Sequence, residues 1–169
     1  MKVLVTYMTQ TGNTKKIADA IYEAVDEDKD IKYINEVDSL EGYDLAFIGF
    51  PIHQFNAPDE VKNFLNNNTN GKDIALFITH GAPSDFDQVS DWVSKSKEAA
   101  KDANIIDVFQ CQGEVSKEIM DMLQNSDDPQ MQQFAELVSK GKGQPDETMV
   151  QKAKQFANDV ITQKKAWTK

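Results

Sequence analysis

The chain has 169 residues, 40% of them hydrophobic, and a formal net charge of −10 in which all 18 strongly basic residues are lysine. That length suits one domain with a substantial core, and the acidic balance argues against nucleic acid, whose binding rests on neutralised phosphates. Cys111 is the single cysteine, which excludes an internal disulfide framework and a cysteine metal cluster. No signal-like N-terminus or membrane-length apolar run is present, so the expectation is a cytoplasmic protein without a membrane partner.

In chain order, Lys2 to Tyr7 reads as a buried strand, followed by a helix from Asn13 to about Val25 with its apolar stripe on Ile17, Ala18, Ile21, Ala24 and Val25. The acidic run Asp26 to Asp30 ends that helix, and a second strand is expected over Ile31 to Val37. A third strand, Asp44 to Gly49, is nearly all apolar, as a strand covered on both faces should be. Ala57-Pro58-Asp59-Glu60 opens a helix that buries Val61, Phe64 and Leu65. Ile74 to Thr79 is strand four, and a helix from about Phe86 to Lys101 turns Val89, Trp92, Val93 and Ala100 inward. Strand five spans Ile105 to Cys111, and a last helix opens at Gln144-Pro145-Asp146-Glu147. Strands that each feed a helix predict an α/β fold with a parallel sheet. Between strand five and the last helix, residues 113–143 form an extra segment whose apolar spacing predicts two short helices. Its default role is packing, with a cap on the ligand or a dimer contact as the alternatives.

The turn Thr9-Gln10-Thr11-Gly12-Asn13-Thr14 carries the chemistry. A helix start leaves backbone N–H groups unpaired with the positive end of the helix dipole behind them, an arrangement suited to phosphate. Three threonine hydroxyls and the Asn13 amide add donors, and Gly12 lets the backbone bend close to a ligand. One glycine is too few for a Walker loop or a dinucleotide fingerprint, which speaks against nucleoside triphosphate hydrolysis. What remains is a small terminal phosphate held by neutral donors, against the plainer alternative of an ordinary capped helix.

The pattern Thr-x-Thr-Gly-x-Thr after the first strand closely resembles the phosphate loop of flavodoxins, which hold the 5′-phosphate of FMN. The resemblance covers most of the 169-residue chain. It implies one flavodoxin-like domain, a doubly wound five-stranded parallel sheet of order 2-1-3-4-5, FMN as cofactor and a redox partner protein. A narrower likeness is to flavodoxin-family proteins of anaerobic bacteria that accompany bilirubin reductase. The resemblance also implies that the isoalloxazine lies over the loops after strands three and four. In the first, Pro51, His53, Gln54, Phe55 and Asn56 are the expected ring contacts, with Phe55 stacking and Phe50 in the core. In the second they are His80, Gly81 and Ala82, the backbone N–H groups of the last two facing the pyrimidine edge.

Two departures from the family pattern bear on mechanism. The second loop lacks the Tyr that family members often set over the outer ring face. No glycine lies between Pro51 and Pro58, where flavodoxins turn a Gly carbonyl toward the one-electron-reduced flavin; Asn56 is the residue expected to take that positive-φ role. Without it, two-electron chemistry becomes more natural. His53 and His80, the only histidines, both fall in these loops, where each is either a pH-coupled ring contact or simply satisfied by backbone. Cys111 at the end of strand five reads as buried and inert, and no Arg exists for a cysteine phosphatase. The expected function is an electron-transfer protein working with a redox partner. The alternatives are an NAD(P)H-dependent flavin or quinone reductase, and a non-redox interaction module with an empty flavin site.

Overall fold

The computed structural model describes residues 1–167. Five strands, β1 Lys2–Tyr7, β2 Asp28–Tyr33, β3 Leu45–Pro51, β4 Asp73–His80 and β5 Asn104–Gln112, form one sheet in the order β2-β1-β3-β4-β5, every pairing parallel. This is the expected doubly wound order. The helices are α1 Asn13–Ala24, α2 Asp59–Asn68, α3 Val89–Glu98, α4 Lys117–Gln124, α5 Pro129–Ser139 and α6 Glu147–Trp167. Side chains alternate across the sheet with the period of two that a strand dictates. Val3, Val5, Phe47, Ala75 and Phe77 face α1 and α6, meeting Ile17, Ile21, Phe156 and Val160. Leu4, Ile48, Phe50, Ile74, Leu76 and Ile78 face the other way, onto Val61, Phe64 and Leu65 of α2. Phe50 and Cys111 are both fully buried, as expected, and burial pushes the Cys111 thiol up to about 12.

The second strand corrects the reading of the sequence. It begins at Asp28 rather than Ile31, and residues 34–36, expected to continue it, are a 3₁₀ turn that buries Ile34. The charged run reads as a helix terminator because strands are poor in Asp and Lys. Local partners outweigh that preference at a sheet edge. The Lys29 amino group donates to the Tyr22 and Val25 carbonyls at the end of α1, 2.7 Å each, where a cation suits the helix dipole. Asp30 accepts from the Tyr43 hydroxyl at 2.6 Å and pairs with Lys2. A smaller difference is that α3 starts at Val89, three residues later than expected from Phe86.

The 113–143 segment does form two helices, α4 and α5. Ser116 caps α4 by accepting from the Ile119 N–H, and Asp128 caps α5 by accepting from the Gln130 N–H, with Pro129 at the first helical position. Leu123, Ala135 and Val138 make a small core between them. A backbone bond from the Glu114 N–H to the Gln144 carbonyl, 2.9 Å, closes the neck of the insertion. The Gln112 amide donates to the Gly81 and Leu137 carbonyls at 3.0 and 3.3 Å, tying α5 to the end of β4. The insertion is thereby held at the carboxyl edge of the sheet, where open α/β folds bind their ligands.

Candidate functional site

Between β1 and α1 the chain turns at Gly12, whose φ of +94° is a left-handed conformation that a Cβ would strain. Gly12 is also the N-cap of α1, with no side-chain cap and no acidic residue in the first turn. The first N–H groups of α1 therefore point out of the helix without an anionic side chain to answer them. Thr9 shapes the turn by accepting from the Gly12 N–H at 3.0 Å. Gln10 and Thr11 are exposed at its tip. Thr14 is buried, its hydroxyl 2.8 Å from that of Thr79 at the end of β4, which pins α1 to the sheet. The Asn13 amide donates to the Glu114 carbonyl at 2.8 Å, so the turn leans on the neck of the insertion.

A narrow cleft of about 80 Å³ joins this turn to the loops after β3 and β4. Thr9, Gln10, Thr11, Asn13, Thr14, Pro51, His80 and Gly81 line it. Gly113, Glu114, Val115, Ser116 and Ile119 of the insertion line it too, with Ile52 and Thr79, none of which the sequence marked as site residues. Val115 lies so close to Gly81 that a Cβ there would meet it at 2.7 Å, so the glycine makes room for the insertion. Ala82 is fully buried beside Val89 and Trp92, away from the cleft.

His53, Gln54, Phe55 and Asn56 form a tight hairpin turn beside the cleft, with paired backbone bonds between His53 and Asn56. Here the positive φ values fall on Gln54, +51°, and Phe55, +66°, not on Asn56 as expected. The Asn56 side chain is instead used on its own backbone, accepting from the Ala57 N–H at 2.7 Å. Two successive non-glycine residues at positive φ are costly and persist only where the surroundings hold them. The turn leaves Phe55 55% exposed, its ring 5.4 Å from that of Trp92. Trp92, read from the sequence only as a core residue, is the hub of this end of the site: His80 and Phe86 also pack on it, and Phe86 reaches Phe134 of the insertion.

The two histidines have different environments. His53 is exposed on the hairpin. His80 is 5% exposed, its Nε2 bonded to the Gln110 side-chain oxygen and its Nδ1 buried without a well-formed hydrogen bond. Burial holds its imidazole below the ordinary histidine pKa, against the opposing pull of Gln110 and the Ala82 backbone. The neutral form of His80 is therefore the one the fold favours.

A flavodoxin-domain family model matches residues 4–158. Among curated proteins the chain is 35% identical over 171 residues to the flavodoxin-like domain-containing protein BilS of Clostridioides difficile (strain CD3), covering 95% of this chain and 97% of that one. Solved structures with the same fold include a flavodoxin from the domain Archaea, with TM-score 0.62, 16% identity and 98% and 99% of the two chains covered. Another is a flavoprotein in complex with FMN from Lactobacillus acidophilus NCFM, with TM-score 0.53, 22% identity and 65% and 93% covered.

Proposed function

We propose, because this chain belongs to the flavodoxin family, that it binds FMN and passes reducing equivalents to or from a redox partner protein. The observation that carries the reading is the Gly12 turn. A helix start with no side-chain cap and no acidic residue in its first turn, bent through a left-handed glycine and edged by Thr9, Thr11 and Asn13, suits an oxyanion such as the phosphate dianion. The residues fit the cofactor's phosphate. The cleft volume of about 80 Å³ does not take an isoalloxazine as well, so the ring belongs at the mouth, on the Phe55 side, where an exposed aromatic is already presented.

In this reading the helix start and the hydroxyls of Thr9 and Thr11 bind the phosphate, while the Thr14–Thr79 bond keeps the turn in register with the sheet. Pro51 and the hairpin of His53, Gln54, Phe55 and Asn56 position the ring from one side. Neutral His80, with Gly81 and Ala82, fixes the loop on the other, and Val115 and Ile119 exclude water from the cleft between them. Bound flavin supplies the redox chemistry; the protein supplies binding, access and field. The net charge of −10 disfavours additional negative charge on the reduced ring, which lowers its potential. We place the protein in the cytoplasm, acting as one flavodoxin-like domain that carries its insertion, with bilirubin reductase the first partner to test.

A second reading, an NAD(P)H-dependent flavin or quinone reductase, draws on the hairpin. Its positive-φ positions are already taken by Gln54 and Phe55 rather than by a glycine free to turn its carbonyl, which favours two-electron exchange. Purification decides between the readings. A yellow protein that releases FMN on denaturation and is inert to NAD(P)H without a partner protein supports the carrier. Direct NAD(P)H oxidation with a quinone supports the reductase. A colourless protein that ignores added FMN overturns both and leaves a non-redox interaction module.

A further inference from the structure

Behind the Glu114–Ser116 wall of the cofactor cleft lies a second cavity, of about 780 Å³, between the phosphate turn and the two helices of the insertion. The first cleft is a tenth of that size; the second falls within the range of small-molecule sites. Val115, Met120 and Val138 make its apolar wall, backed by the small core of Leu123 and Ala135. Lys117 and Lys142 stand at its rim with Glu114, and neither lysine makes an ion pair or side-chain hydrogen bond among the described residues. Elsewhere the chain pairs many of its lysines, as in Lys15–Asp19, Lys72–Glu41, Lys154–Glu23 and Lys164–Asp73. Lys117 and Lys142, with Glu114 beside them, set two cations at the edge of an apolar wall.

We propose that this cavity binds an amphipathic small-molecule anion, its apolar body against Val115, Met120 and Val138 and its oxyanion between Lys117 and Lys142. The site adjoins the proposed FMN site and shares Thr11, Asn13, Glu114, Val115 and Ser116 with it, so its occupant sits across that wall from the cofactor cleft. Nothing in the proposal requires the flavin reading to hold.

The probe is 8-anilinonaphthalene-1-sulfonate, an apolar ring system with one sulfonate, titrated calorimetrically into the FMN-saturated protein and separately into the FMN-free chain. The proposal expects one probe per chain with micromolar affinity, about −8 kcal/mol, in both. It expects binding at least fivefold weaker for the uncharged analogue N-phenyl-1-naphthylamine. In the Lys117→Glu/Lys142→Glu variant, binding of the sulfonate falls at least tenfold, whereas Lys117→Arg/Lys142→Arg retains it. Both lysines are exposed, so thermal melting of these variants stays at the parent value. Absence of binding, binding unchanged by the charge reversal, or competitive displacement of the probe by FMN each overturns the proposal. Failure of FMN to bind, with the probe still bound in a lysine-dependent way, overturns the proposed cofactor and leaves this site standing.

Discussion

The two ends of the proposed cofactor site, one for the phosphate and one for the ring, are built on opposite principles. At the phosphate end, a single glycine and the first turn of α1 make the site from consecutive residues, and the one positive φ falls where it costs nothing. At the ring end, a hairpin holds Gln54 and Phe55 at positive φ, and an aromatic stack drawn from β4, α3 and the insertion lies against it. The first end is specified locally and needs little support. The second stores backbone strain that tertiary contacts must sustain, which is how a fold keeps a side chain such as Phe55 exposed instead of burying it.

The contrast is broken most severely at the first end. Gly12→Val forces a β-branched residue into φ +94° with open space around it, so the damage is conformational and local. We expect FMN affinity to fall at least about a hundredfold, and stability to fall by about 1–2 kcal/mol, read by fluorescence titration and urea unfolding. Next in size is the seam between sheet and insertion. Gly81→Ala drives a methyl into Val115 and should cost about 1–3 kcal/mol. Combining it with Val115→Ala should recover part of that loss, and the double-mutant cycle reads a coupling of about 1 kcal/mol.

At the strained end, Phe55→Gly and Phe55→Ala remove the same ring, and both should weaken FMN binding about tenfold, on the scale of one lost aromatic contact. Only glycine relieves the backbone, so the glycine variant should be about 1 kcal/mol more stable than the alanine one. Equal urea midpoints would remove the strain from the account. The smallest effect is the pH dependence of His80. Its folded pKa is lowered, so below the unfolded value of about 6.5 the unfolded chain takes up a proton that the folded chain resists. Stability therefore falls as pH drops from about 6.5 toward the folded pKa. In His80→Gln the urea midpoint should be flatter with pH over that window.

What could be read in the sequence divides along the same line. The strand order follows from the family resemblance, whereas the helix faces and the turn from Thr9 to Thr14 rest on periodicity and on one glycine before a helix, signals that act over a few residues. Where charged side chains find partners distant in sequence, as Asp30 does with Tyr43 and Lys2, β2 was displaced by three residues. In the hairpin, residue preference points to Asn56 for positive φ, whereas the paired backbone bonds of His53 and Asn56 place it on the two residues between them. Val115, Ile119 and Trp92 carry a helical-spacing signal in the sequence but none for a place at the site. Their roles come from the docking of α3 and the insertion against the end of β4, which only the assembled fold reveals.

A comparison of FMN with riboflavin, titrated into the flavin-free protein at neutral pH, isolates the phosphate while leaving the ring contacts the same. If the uncapped start of α1 and its hydroxyls grip the dianion, FMN binds at least about a hundredfold more tightly, the sum of two or more charge-assisted hydrogen bonds. Equal affinity for the two flavins would contradict the account at its base.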